Sequence, residues 1–160
     1  MKKIKVLMVC MGNICRSPTA HGIFEALVRS EGLEHMIEVD SAGTHAYHVG
    51  KPPDPRSQQT AIRRGLDLSA QRARQANRQD FNEFDYILAM DQDNYDNLQT
   101  ICPSGMEHKL HLFMDFSEGF SAREVPDPYY GGANGFEDVF DMVDSAAKGL
   151  LNTIREKHLG

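Results

Sequence analysis

Apolar positions along the chain follow two periods, and the alternation between them predicts the fold. Ile4-Lys5-Val6-Leu7-Met8-Val9 is a short, nearly continuous apolar run, the pattern of a strand covered on both faces. It leads directly into Cys10-Met11-Gly12-Asn13-Ile14-Cys15-Arg16, where Gly12 and Asn13 tolerate the positive φ of a tight loop. Ser17 then reads as a helix N-cap and Pro18 as the first helical residue. Beyond them Ala20, Ile23, Phe24, Leu27 and Val28 recur at helical spacing as far as Gly32, a C-terminal stop.

The same alternation continues downstream. Residues 36–41 predict a second strand, 44–55 a loop carrying Gly50, Pro52 and Pro53, and 56–64 a helix closed by Gly65. Residues 84–90 predict a third strand, 92–101 a helix and 109–113 a fourth strand. After an irregular stretch over 115–135, Val139, Phe140, Val143, Ala147, Leu150, Leu151 and Ile154 make one stripe of a final helix over about 136–157. Strands alternating with helices imply a parallel sheet with right-handed crossovers and helices on both faces. No repeat, low-complexity tract or linker interrupts the pattern. Residues 1–160 are therefore expected to form a single doubly wound α/β domain around a four-stranded parallel sheet.

Composition changes this picture little. A chain of 160 residues buries enough surface for a core without disulfide or metal staples. Its 17 Lys+Arg against 23 Asp+Glu give a net charge of −6, which weighs against a broad nucleic-acid surface. Met1-Lys2-Lys3 before apolar residues has the outline of a secretory leader. Lys5 interrupts it, however, and residues 6–11 are too short for a leader core or a membrane span. The expectation is a cytoplasmic protein with neither a nucleic-acid nor a membrane partner. Cys10, Cys15 and Cys102, an odd number, fit reactive thiols better than a disulfide framework.

In an open α/β sheet the site lies beyond the carboxyl ends of the strands. The loop after the first strand places Cys10 and Arg16 at its two ends, with Ser17 opening the helix. Such a loop turns successive N–H groups inward and cradles an anion. Arg16 and the helix N-terminus both favour the thiolate form of Cys10. A planar guanidinium also grips two phosphate oxygens at once. A cysteine attacking a phosphate monoester needs a proton donor for the departing oxygen. Asp127, fixed between Pro126 and Pro128 in a loop before the last helix, is the candidate, with Tyr129 and Tyr130 beside it as cleft walls. Zinc is poorly supported, because Cys10 and Cys15 have no second close pair and the histidines are scattered. His45, His48, His108 and His111 read as surface or loop polar residues with no role.

The cradle Cys10-Met11-Gly12-Asn13-Ile14-Cys15-Arg16-Ser17-Pro18 together with Asp127-Pro128-Tyr129-Tyr130 closely resembles the low molecular weight protein tyrosine phosphatases. The resemblance spans essentially the whole chain. It includes Val39-Asp40-Ser41-Ala42, Asp54-Pro55-Arg56, Ala73-Arg74-Gln75, and Phe84-Asp85-Tyr86-Ile87-Leu88 leading to Met90-Asp91. It implies hydrolysis of phosphotyrosine in two steps without metal or organic cofactor. Cys10 would form a phosphocysteine while Asp127 protonates the leaving phenolate, and Asp127 would then activate water. Arg16 and the amides of the loop from Met11 through Ser17 would bind the phosphate.

The resemblance further makes Ser17 the hydroxyl that stabilises the Cys10 thiolate, and Asn13 and Ser41 members of the network that holds the loop. One departure is Gln71, where the family often has a histidine in that network. Tyr47, Tyr129 and Tyr130 match the aromatic rim positions flanking a phosphotyrosine ring. Ile14 favours tyrosine over the arginine phosphatases, which usually carry threonine there. Arsenate reductases share the cradle but need further cysteines to pass a disulfide along. A silent phosphate-binding module is disfavoured by the presence of both Cys10 and Asp127. Cys15 is read either as a small buried residue or as a redox partner that protects Cys10. The expected partners are tyrosine-phosphorylated proteins and inorganic phosphate or other oxyanions, with the protein itself a monomer.

Overall fold

Ile4–Cys10 forms the first strand, β1, and its side chains alternate between two cores. A computed structural model describes residues 3–128 and 131–159. Val6, Met8 and Cys10 face one hydrophobic cluster, while Leu7 and Val9 face the other. A strand buried on both sides needs this unbroken apolar run, because either face would otherwise put a polar group into a core. The other strands are β2 (Ile37–Gly43), β3 (Tyr86–Ala89) and β4 (Leu110–Leu112). The order is β2-β1-β3-β4, and every pairing is parallel. The chain leaves β1 toward one edge and later returns to build the other, so the switch point lies between β1 and β3. Ligands in this architecture bind outside the carboxyl ends at that point.

Helices α1 (Arg16–Ser30) and α5 (Gly135–Ile154) cover one face, burying Phe24, Val28, Val143 and Leu150 against Met8 and Leu88. The opposite core holds Phe81 of α3 (Arg78–Glu83) and Leu98 of α4 (Gln92–Gln99), packed with Ile87, Ala89 and Leu112. Helix α2 (Pro55–Arg63) follows the loop after β2 and is capped by Asp54, whose carboxylate accepts from the Arg56 N–H at 2.8 Å.

Three details depart from the sequence pattern. Helix α1 begins at Arg16, with Cys15 and not Ser17 at the cap position, because the Ser17 hydroxyl is engaged inside the preceding loop, with Cys10 and Asn13. Thr19 Oγ1 holds this first turn instead, donating to the Cys15 carbonyl at 2.8 Å. Helix α3 is six residues long and mostly polar, too short to show a helical period. It is fixed by the Asp80 carboxylate, which accepts from the Asn77 N–H at 2.8 Å. The last helix ends at Ile154, and a π-helical turn, Arg155–Leu159, follows.

Candidate active site

The loop between β1 and α1 is shaped by where its carbonyls go. Those of Cys10 and Met11 accept from Thr44 N at 2.9 Å and His45 N at 3.0 Å, and that of Ile14 accepts from Asp54 N at 2.8 Å. With these oxygens drawn outward, the backbone presents its N–H groups to the interior, which is an anion-binding nest. The strand that draws them must come very close. A Cβ on Gly43 would lie 2.7 Å from the Met11 carbonyl oxygen, so only glycine fits there. Asn13 turns the loop at φ 57°, and its side chain bridges two ways. Asn13 Oδ1 accepts from Arg74 N at 3.0 Å, and Nδ2 donates to Ser17 Oγ at 2.8 Å.

Ser17 Oγ lies 3.0 Å from Cys10 Sγ and 3.4 Å from the Ala42 carbonyl. Because Ser17 accepts from Asn13, its single hydroxyl proton can be donated to the sulfur in its anionic form. Arg16 is 4% exposed. Its Nη1 donates to Asp91 Oδ2 at 2.5 Å and to the Val125 carbonyl at 3.1 Å. Burial pulls the pKa of this guanidinium down, but the charges of Cys10, Asp91 and Asp127 outweigh burial and raise it. Among the described residues both bonds use Nη1, so Nε and Nη2 can face an anion in the cleft.

The cleft has a volume of about 150 Å3. Cys10, Arg16 and Asp127 line it together, and Met11, Gly12, Ile14 and Cys15 complete its floor. Asp127 arrives there because Val125 N donates to the Met90 carbonyl at 2.8 Å, docking the segment onto the end of β3. Cys15 is buried, and burial pushes its thiol up to about 12, against a hydrogen bond from Ser57 that lowers it.

The remaining site candidates are distributed differently. Among the described residues Ser41 makes no hydrogen bond to the cradle itself; its Oγ lies 3.2 Å from His21 Nδ1 and 3.4 Å from Gln71 Oε1. Tyr47 is 67% exposed and stacks on His45 at 5.0 Å, outside the lining of the cleft. Tyr129 and Tyr130 lie outside the described residues. Two residues given no role from sequence belong to the site. His48 lines the cleft, so close to the loop that a Cβ on Gly12 would meet its Cδ2 at 2.9 Å. Asp91 holds Arg16. For His48 the only available signal was its place beside Tyr47; for Asp91 it was the Met90-Asp91 pair closing the third strand.

Comparison with known proteins gives one consistent answer. The family described as low molecular weight phosphotyrosine protein phosphatase matches residues 5–159. A putative low molecular weight protein-tyrosine-phosphatase from Synechocystis is 49% identical over 152 residues, covering 94% of this chain and 96% of that protein. The crystal structure of a protein tyrosine phosphatase from Entamoeba histolytica, with Hepes in its active site, superimposes with a TM-score of 0.93. It is 39% identical, covering 96% of this chain and 98% of its own. A Drosophila arginine phosphatase structure is also similar, with a TM-score of 0.87 and 32% identity over 96% of this chain and 99% of its own.

Proposed function

The chain belongs to the low molecular weight phosphotyrosine protein phosphatase family, whose members are hydrolases, and from that premise we propose how its own residues divide the work of hydrolysing phosphotyrosine in proteins. The Cys10 thiolate attacks phosphorus, and the bond from phosphorus to the tyrosine oxygen breaks. Asp127 gives its proton to the departing phenolate. The product of this step is a phosphocysteine. Asp127, now a carboxylate, takes a proton from water, the hydroxide attacks phosphorus, and the sulfur–phosphorus bond breaks. The Ser17 hydroxyl, 3.0 Å from the sulfur, stabilises the thiolate as it leaves. Arg16 and the loop amides hold the equatorial oxygens through both steps, in positions set before substrate binds.

The observation that carries this reading is the convergence of Cys10, Arg16 and Asp127 on one cleft from opposite ends of the chain. We read the same protein as a cytoplasmic monomer. Its three free thiols suit a reducing compartment, and the apolar stripe of α5 is buried within the fold, so that helix offers no apolar face to a partner. Its partners are then phosphotyrosine proteins and free phosphate. Under peroxide, Cys10 would be oxidised to a sulfenic acid with loss of hydroxide, and the Cys15 thiol would displace water from it to form a disulfide.

The test is phosphate release from phosphotyrosine, phosphoserine and phosphoarginine peptides by the parent, Cys10→Ser and Asp127→Ala. Turnover of phosphotyrosine is expected, lost in the first variant and reduced roughly 10²- to 10⁴-fold in the second. Preference for phosphoarginine would keep the mechanism and overturn the substrate. Failure of the parent on all three would overturn the reading.

A further inference from the structure

One turn along α1 from Ser17, and on the same face of the helix, His21 is a titratable side chain only 15% exposed, and catalysis makes no use of it. Its Nδ1 lies 3.2 Å from Ser41 Oγ, and Ser41 Oγ lies 3.4 Å from Gln71 Oε1. Gln71 Nε2 then donates to the Pro18 carbonyl at 3.0 Å, returning to the first turn of α1. The other ring nitrogen, Nε2, is 3.6 Å from Glu25 Oε2. Three side chains therefore clip together α1, β2 and the segment that follows α2. That segment goes on to supply Arg74 N to Asn13 Oδ1, and its Arg74 carbonyl accepts from Gly43 N at 2.8 Å. The clip thus ends on the residue that turns the phosphate loop.

Counting protons shows that the clip has two states. Ser41 has one hydroxyl proton to give. When His21 is neutral and its Nε2–H faces Glu25, Nδ1 is an acceptor and takes the Ser41 proton. Gln71 Oε1 then loses its donor. When His21 is protonated, both ring nitrogens donate, Nε2–H toward Glu25 and Nδ1–H to Ser41 Oγ. Ser41 is released to donate to Gln71 Oε1, and the bonds run in one direction from His21 through Ser41 and Gln71 to Pro18. We propose that His21 is a proton-dependent positioning residue for the phosphate cradle, whose protonation reverses the Ser41 hydroxyl and closes the clip.

The charged groups facing His21 are Glu25 on its own helix and Asp40 on β2; Ser41 and Gln71 are neutral. Burial lowers the pKa of His21 more than these two carboxylates raise it. The switch therefore operates on the acid side of the usual histidine range. Protonation also sets a cation behind the anion site, in the same sense as the closed clip.

This inference rests on the cradle being a phosphate site, so its test reads binding and the clip separately. Dissociation constants for inorganic phosphate would be measured by NMR for the parent and His21→Gln between pH 8 and pH 5. Comparing the two proteins at each pH cancels the ionisation of phosphate itself. The ratio of variant to parent constants is expected to rise about threefold toward acid pH, the worth of one ordinary hydrogen bond. In the parent, the Asn13 amide resonance is expected to shift with the titration of the His21 ring. In Ser41→Ala that response should vanish while the ring still titrates. A flat ratio, or an Asn13 resonance that ignores His21, would overturn the proposal. Absence of phosphate binding at every pH would instead refute the phosphate site, and the His21–Asn13 titration would still decide whether the clip exists.

Discussion

The two sides of the cleft are built in opposite ways. The cradle is made of consecutive residues between a central strand and the helix that follows it, and its bends are fixed by backbone bonds from residues 44, 45 and 54 and by Asn13. Asp127 reaches the same cleft at the end of residues 117–127, which form no strand or helix. That stretch is docked by Val125, through one bond to Met90 and one from Arg16. Arg16 therefore belongs to both sides: it tethers the segment that carries Asp127, and in the proposed mechanism it also clamps the anion. An anion-binding surface must be in place before substrate arrives, because catalysis by preorganised dipoles fails if they must first reorient. A proton donor needs only to reach the leaving oxygen, so the ties at Val125, together with the bond from Gln92 N to the Glu124 carboxylate at 2.8 Å, are enough to present it.

Among changes that leave Cys10 and Asp127 in place, the largest effect is expected from breaking both sides at once. Arg16→Lys keeps the positive charge but replaces the fork by a single point. It cannot hold Asp91, the Val125 carbonyl and a phosphate together. Phosphotyrosine kcat/KM should fall roughly 10²- to 10³-fold, the scale for losing a preorganised donor to a developing charge. A loss of less than tenfold would mean that the loop amides carry the anion without Arg16, and that the acid segment does not depend on it.

Asp91→Asn separates the two functions of Arg16. Asp91 Oδ1 caps α4, accepting from Asn94 N at 2.8 Å, while Oδ2 holds Arg16. Asparagine keeps an oxygen for the cap and removes the charge that aims the guanidinium. A hydrogen bond to a charged group is worth enough that kcat/KM should fall roughly 10- to 100-fold, with little change in melting temperature. A large loss of stability without a loss of rate would show that Asp91 serves the helix and not the site.

The same contrast explains what could be read in the sequence. The cradle was legible because its strand, glycine-bearing loop and helix start are adjacent in the chain, and each announces itself through local chemistry. Ser17 misled for a related reason: its residue type favours a cap, but the buried cradle outcompeted the helix end for its hydroxyl. Asp127 could be nominated from its flanking prolines, whereas its attachment through Val125 depends on contacts between distant segments that carry no spacing signal. Asp91 and His48 were missed because an N-cap aspartate and a loop histidine look ordinary until the sheet brings them beside Arg16 and Gly12. Helix α3 is too short and too polar for periodicity to mark it.

Cys15 gives the smallest expected effect, because it lies in the floor of the cleft but its buried thiol is hydrogen-bonded to Ser57 of α2 and to neither the Cys10–Arg16 cradle nor Asp127. Its pKa of about 12, raised first by burial, means that the fold favours the neutral thiol. The folded value lies above the unfolded one, so the associated stability is complete below the ordinary thiol range, near 8.5–9, and is lost as pH rises toward about 12. Cys15→Ser removes the ionisable group, and its melting temperature should fall less steeply than the parent's between pH 9 and pH 12. The same variant tests the redox reading. A thiol with so high a pKa is a slow nucleophile, so the disulfide with Cys10 should form over minutes and compete poorly with further peroxide. After a brief peroxide pulse, a thiol reductant should restore more activity in the parent than in Cys15→Ser, by roughly twofold and not by an order of magnitude. Equal recovery would mean that Cys15 is only a small buried side chain filling the space beneath the loop.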